Sequence, residues 1–170
     1  MDSTVLAWHF LRSDWTTGAH SLPVRVGEAL EHAGALRLCW AGLHASERVL
    51  DALWFAPGPV LTRVECSGEL VYGADKLVCS RRRALWGFDA TEILGKFARW
   101  CALNVVDLWT APDVVRQYLA TGDESLRDAT RTAARTAART AARTATRAAI
   151  EATTGVAAES AARTAARAAA

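Results

Sequence analysis

The chain has 170 residues, is 51% hydrophobic and carries a formal charge of +2; one domain is the expectation at this length. The charge is unevenly placed: residues 1–122 hold 12 Lys/Arg against 13 Asp/Glu, whereas residues 123–170 hold 8 Arg against 5 Asp/Glu. No apolar run is long enough to span a bilayer, and Met1-Asp2-Ser3 does not open a signal peptide, so the expectation is a cytoplasmic protein without a membrane partner.

Seven Trp lie between Trp8 and Trp109 and none follows, which divides the chain into a compact body, 1–122, and a low-complexity tail, 123–170. Periodicity assigns most of the tryptophans to core packing. Cys39, Cys66, Cys79 and Cys101 are widely spaced, with no C-x-x-C. They read as reduced, buried thiols, and no metal site or cofactor is expected.

Thr4–Leu11 is rich in β-formers and predicts a first strand. Polar Arg12–Ser21, with Gly18, predicts a loop. Pro23–Val26 predicts a short strand, and Glu28–Gly34 either a strand and turn or one helical turn. Ala35–Trp40 predicts another strand. Ser46 then stands as an N-cap, with Val49, Leu50, Leu53 and Trp54 on one face of a helix that Pro57-Gly58-Pro59 ends. Val60–Glu65, Gly68–Tyr72 and Lys76–Ser80 predict strands, the last two joined by a hairpin turn at Gly73-Ala74-Asp75. Arg81-Arg82-Arg83 leads into Ala84-Leu85-Trp86.

Asp89-Ala90-Thr91-Glu92 has capping-box spacing, and the apolar residues from Ile93 to Leu108 form a helical stripe. Thr110–Asp113 breaks it and starts a short helix through Leu119. The body therefore predicts an α+β domain, a mostly antiparallel sheet with one long packed helix, followed by an Ala/Arg/Thr-rich helical tail.

The tail helix is expected from near Glu124, with a kink or end at Thr153-Thr154-Gly155 and a second, shorter helix over Val156–Ala170. Arg131, Arg135, Arg139, Arg143 and Arg147 recur every four residues. At 100° per residue each repeat advances about 40° beyond a full turn, so the Arg row winds round the helix. The row would suit phosphate backbones without reading sequence. The small Ala faces would suit self-association into a homo-oligomer, although each Ala buries little area. A solvated repeat expansion with no partner is the third reading.

Within the body, His9 lies between Trp8 and Phe10 and faces opposite to both on a strand, toward solvent or a cleft. His44 sits in a Gly turn before a helix, where a histidine serves as acid–base or ligand-binding group, or bonds backbone. Cys39 with His44 would make half a metal site or a nucleophile pair, but no second ligand pair has suitable spacing. Arg81, Arg82 and Arg83 are the dense cationic cluster of the body, suited to binding a phosphate or carboxylate, or to guarding a strand edge.

The segments Trp8-His9-Phe10, Val24–Glu28, Leu38-Cys39-x-x-Gly42-Leu43-His44-Ala45-Ser46, Asp51–Gly58, Val64–Glu69 and Asp75–Val78 together resemble an uncharacterised family of small phage and actinobacterial domains. The resemblance spans residues 4–110 and implies no known activity. More loosely, the order of His9, Gly42–Ser46 and the Asp51–Ala56 helix resembles ADP-ribosyltransferase-like domains. That resemblance implies an enzyme with His9, His44, Ser46 and Glu65 as catalytic candidates, although no Tyr pair follows the helix. The leading expectation is a phage- or mobile-element-associated binding or interaction module that self-associates through its tail. An ADP-ribosyltransferase-like enzyme and a non-specific nucleic-acid binder are the alternatives.

Overall fold

The computed structural model describes residues 4–168, with side chains through Ile150. It is an α+β protein built on a five-stranded antiparallel sheet. Two compact units emerge, Met1–Gly95 and Lys96–Ala170, so the division falls well before the change of composition at residue 123.

In the first unit, β1 (Val5–Leu11) pairs with β4 (Val60–Tyr72), and β4 pairs along its length with β5 (Leu77–Asp89). Two short strands, β2 (Ala29–Glu31) and β3 (Leu43–Ala45), both add to β5. After β3 the chain reaches β1 again: the Trp8 amide donates to the Ser46 carbonyl (2.7 Å) and the Ser46 amide to the Trp8 carbonyl (3.0 Å). The hydrogen-bonded path β1-β4-β5-β3 thereby returns to its start.

Register assigns the faces, because cross-strand partners share one. His9–Thr62, Ala7–Val64, Val64–Ala84 and Cys66–Arg82 lie on the inner face. Leu6–Glu65, Glu65–Arg83, Trp8–Arg63 and Arg63–Trp86 lie on the other. One core cluster is made of small and medium side chains, Ala7, Leu43, Ala45, Val64, Cys66, Leu77, Cys79 and Ala84, and Phe10 and Leu11 are buried as well.

None of the seven tryptophans is buried, contrary to the core role expected of them. Trp8 and Trp86 meet edge-on at 5.6 Å, Trp86 stacks on Phe88, and the Arg63 guanidinium lies over Trp8. The outer sheet face thus carries an aromatic ladder capped by a cation.

Several expected elements differ. Pro23–Val26 forms no strand; Pro23 makes a single bridge to Thr16. Ala35–Trp40 is a turn, closed by Arg37 and Ala41, with Cys39 left-handed at φ +70°. Glu28–Gly34 resolves as the strand β2. Ser46 is no N-cap: α1 (Val49–Trp54) is preceded by Arg48, which makes no side-chain cap. Ala52 is the buried residue of α1, while Val49, Leu50 and Trp54 are exposed. Gly68 lies inside β4 at a register shift, so what looked like two strands is one bulged strand.

α2 (Thr91–Leu103) begins where the Asp89 carboxylate accepts from the Thr91 amide (2.8 Å) and the Ala90 carbonyl accepts from the Leu94 amide, so Asp89 binds the helix start one residue nearer than the Glu92 contact of a capping box. Ile93, Phe97, Trp100 and Leu103 are all exposed and no residue of α2 is buried. In the second unit a 3₁₀ turn (Val106–Leu108) leads to α3 (Asp113–Thr121), which ends on left-handed Gly122. Thr130, near the start of α4 (Arg127–Ala168), is buried and its hydroxyl donates to the Val114 carbonyl at 3.2 Å. From Ala138 to Ile150 every residue of α4 is exposed. The helix continues through Thr153-Thr154-Gly155 to Ala168 without the expected break; Ala169 and Ala170 lie outside the described residues.

Candidate functional site

Three segments converge on a cavity of about 190 Å³ in the first unit, far larger than the ~10–15 Å³ that one water requires. β1 contributes Trp8, His9 and Phe10, the β3 segment contributes Gly42 to Ser46, and β5 contributes Arg82. The loop 17–22 and the end of α1 form the rest of the wall, including His20, Phe55 and Pro57.

The rim is held in place by its own bonds. Arg12 donates to the Ser21 hydroxyl and to the Gly18 carbonyl, each at 2.7 Å. Thr17 is buried, and its hydroxyl accepts from the Leu22 amide. Gly18 sits so close to Pro57 that an added Cβ would be 3.0 Å from the proline Cβ. Gly42 is required twice over: its φ is +110°, and a Cβ there would lie 2.4 Å from Val78 Cγ2.

The three arginines are separated by strand alternation. Arg81 pairs with Glu31 (3.4 Å) and Arg83 with Glu65 (2.9 Å), both toward solvent. Arg82 is only 4% exposed. Its Nη1 donates to the His44 carbonyl, and no ion pair reaches it among the described residues. Burial pulls its pKa below the usual arginine range, opposed by the nearby Cys66 and Cys79 thiols, but guanidinium basicity keeps it charged. The triple-arginine cluster therefore does not act as a unit: one member faces the cavity.

His9 and His44 reach the same cavity in different states. The His44 Nε2 accepts from the Cys39 amide at 2.9 Å, a bond that needs a lone pair and so a neutral ring. Its pKa is lowered by burial, then by the charges of Lys76 and Arg82. That left-handed Cys39 turn, which hides in an apolar run of sequence, is what fixes the ring. His9 is held well below the ordinary histidine range, first by burial and then by the Arg82 charge. Its Nε2 is cut off from water and has no hydrogen-bond partner among the described residues. Ser46 lines the cavity and is buried.

Glu65 does not join them. It shares the outer sheet face with Leu6 and Arg83 and bonds the latter. Not one carboxylate lines the cavity among the described residues. The His–His–Glu cleft implied by the looser enzyme resemblance does not form.

The cysteines divide into two kinds. Cys39 and Cys101 are exposed, contrary to expectation, while Cys66 and Cys79 are buried side by side. The Cys79 thiol donates to the Leu43 carbonyl (3.2 Å). The hydrogen bond to Cys79, and then burial, push the Cys66 thiol far above its ordinary range, so it stays protonated and unreactive. No group of three or more His, Cys, Asp or Glu residues is placed to hold a metal among the described residues.

Sequence reasoning pointed to His9, His44, Ser46 and Arg82, and these do converge. It missed Thr17 and His20, treated only as polar loop, and Arg12, which pins that loop. In the tail, Arg143 and Arg147 border a shallow groove with Ala142, Thr146 and Ile150. Arg131, Arg135 and Arg139 lie on exposed turns of the same helix.

A bulged antiparallel sheet whose path returns on itself, with a cavity lined by Arg82 and histidines where β1 meets the β3 segment, defines a small α+β pocket domain. By sequence, the chain belongs to the family described as domain of unknown function DUF7666, whose model matches residues 5–96. That span covers the strands, the cavity and all the body motifs up to the start of α2. No curated protein and no solved structure matches the chain. No helix among the described residues is long and apolar enough to cross a membrane.

Proposed function

We propose that the 5–96 domain is a binding module for a small ligand, and that the cavity beside Arg82 is its site. The observation that carries this is the buried Arg82 guanidinium, which faces a walled cavity and has no carboxylate partner among the described residues. A buried charge is normally paired, so a missing partner at a cavity wall argues that the partner is supplied by what binds.

Binding fits the side chains better than catalysis. The His44 Nε2 is occupied by a backbone amide, which removes it as a general base. Among the described residues, no carboxylate lines the cavity to orient His9 and its Nε2 has no hydrogen-bond partner. Ligand-observed NMR with a mixed fragment library tests the reading. Fragments should bind the wild-type protein and lose binding in Ala52→Leu, which fills the cavity from α1. Fragments that bind both proteins alike, or none at all, would refute it.

We infer a second, separate role for the tail in self-association. Support comes from residues 138–150, exposed on every side of α4, with Ile150 among them at 58% exposure. Sedimentation of the full chain and of a chain ending at Ala137 tests this: equal oligomeric states would refute it. Steeply salt-dependent DNA binding by the full chain alone would instead assign the Arg row to phosphates.

A further inference from the structure

We infer that the ligand of this cavity is a small organic carboxylate, an apolar body bearing a single carboxylate that seats against Arg82. The inference rests on the ligand-binding reading above and names the chemical class.

Charge comes first. The titratable groups facing the cavity are His9 from β1, His44 from β3, His20 from the rim and Arg82 from β5. His44 is neutral by its hydrogen bond and His9 by burial beside the Arg82 guanidinium. The inner end of the cavity therefore presents one fixed positive charge and no negative one. A monoanion cancels it. A phosphate dianion would bring a second charge to a site with no second arginine or lysine in its wall.

Geometry comes second. A guanidinium has five N–H donors in a planar fork, the shape that meets a carboxylate through two parallel bonds. The structure uses Nη1 for the His44 carbonyl and leaves the fork without a carboxylate. His9 Nε2, from the same cavity wall, is buried without a hydrogen-bond partner among the described residues. Both residues belong to the wall of one cavity of about 190 Å³, so a single bound oxyanion would lie between the Arg82 fork and the His9 imidazole.

The walls come third. Phe10, Leu22, Ala45, Ala52, Phe55 and Pro57 contribute carbon to the rest of the cavity. These surfaces favour a hydrocarbon or aryl body. An ion such as free phosphate would leave them in contact with water.

The test uses the full chain and ¹H–¹⁵N NMR, titrating benzoate, hexanoate, benzyl alcohol and phenyl phosphate up to about 10 mM, past the ~1 mM Kd typical of ligands this small. Benzoate or hexanoate should move the Arg82 Nε–H and the His9 and His44 amides saturably, and benzyl alcohol should bind about tenfold more weakly. Arg82→Met should weaken the carboxylates at least about tenfold, with Arg82→Lys between the two. A further readout needs no variant: a carboxylate beside Arg82 relieves the repulsion on His9, so the His9 imidazole pKa should rise when benzoate binds. Benzyl alcohol binding as tightly as benzoate would overturn the carboxylate assignment while leaving the cavity a ligand site. Tighter phenyl phosphate would overturn it in favour of a dianion. Carboxylates that leave all these signals unmoved, that bind Arg82→Met equally well, or that bind without raising the His9 pKa would also overturn it. The fragment screen reports separately on whether the cavity binds anything.

Discussion

Arg82→Met should make the ligand-free protein more stable. The guanidinium is 4% exposed and no carboxylate among the described residues pairs with it. Holding an ion in that setting costs several kcal/mol after relaxation, about 4 as a working figure. Against this stands the bond from Nη1 to the His44 carbonyl, which as a charged hydrogen bond contributes about 2 kcal/mol. Methionine matches the length of the arginine stem and retains its packing. The balance is a gain of about 2 kcal/mol. For a cooperative unit of this size, each kcal/mol moves the midpoint by roughly 4–8 °C, so Tm should rise by about 10 °C. Urea denaturation of both proteins, without added ligand, measures the change, and equal slopes would show that the denatured states are comparable. A loss of about 2 kcal/mol or more would refute the reasoning: Arg82 would then hold β5 to β3 as a structural tie, and its burial would say nothing about a ligand.

Three other outcomes follow from local geometry. Gly42→Ala must place a Cβ 2.4 Å from Val78 Cγ2 at φ +110°, and should lose about 2–4 kcal/mol in urea denaturation; a loss below about 1 would mean that the turn relaxes freely. Wild-type stability should fall as pH drops below the ~6.5 of an unfolded histidine, because His9 and His44 stay neutral in the fold while the unfolded chain takes up protons. Thermal melts between pH 7 and 5 should show that slope reduced in His9→Gln, and an unchanged slope would remove His9 from the explanation. Asp89→Ala removes the carboxylate that accepts from the Thr91 amide and should cost about 1 kcal/mol, read as a lower helix signal and midpoint by circular dichroism; an unaltered melt would mean that water replaces the cap.

Much of the fold was legible wherever alternation and turn chemistry agree. Val5–Leu11 and the pair of strands around Gly73-Ala74-Asp75 follow directly from it. Ala35–Trp40 failed because an apolar run hid a turn whose left-handed Cys39 carries no mark in sequence. The tryptophans failed for a different reason. Alternation places Trp8 and Trp86 on the outer face with Arg63, and size alone does not decide which face is the inner one. Arg82 was half legible. Once Leu77–Asp89 is one strand, a period of two must send Arg82 away from Arg81 and Arg83; reading Lys76–Ser80 as ending the strand made the three look like one patch. Glu65 shows the converse: its order along the chain suited a catalytic acid, but its parity with Leu6 places it on the far side of the sheet.

The mutual bonds of Trp8 and Ser46 have a consequence for how the domain assembles. β4 and β5 meet across a short turn, so their pairing closes little chain and can come early. β1 and β3 reach them from far upstream, and each must already be docked before Trp8 and Ser46 can find one another. That contact is therefore the seam of the fold, and it should be completed last and opened first. His9 follows one side of the seam in sequence and Ala45 precedes the other, and both line the cavity. A ligand that touches both sides would act as a clasp, and the exchange rates of the Trp8 and Ser46 amides would be its gauge.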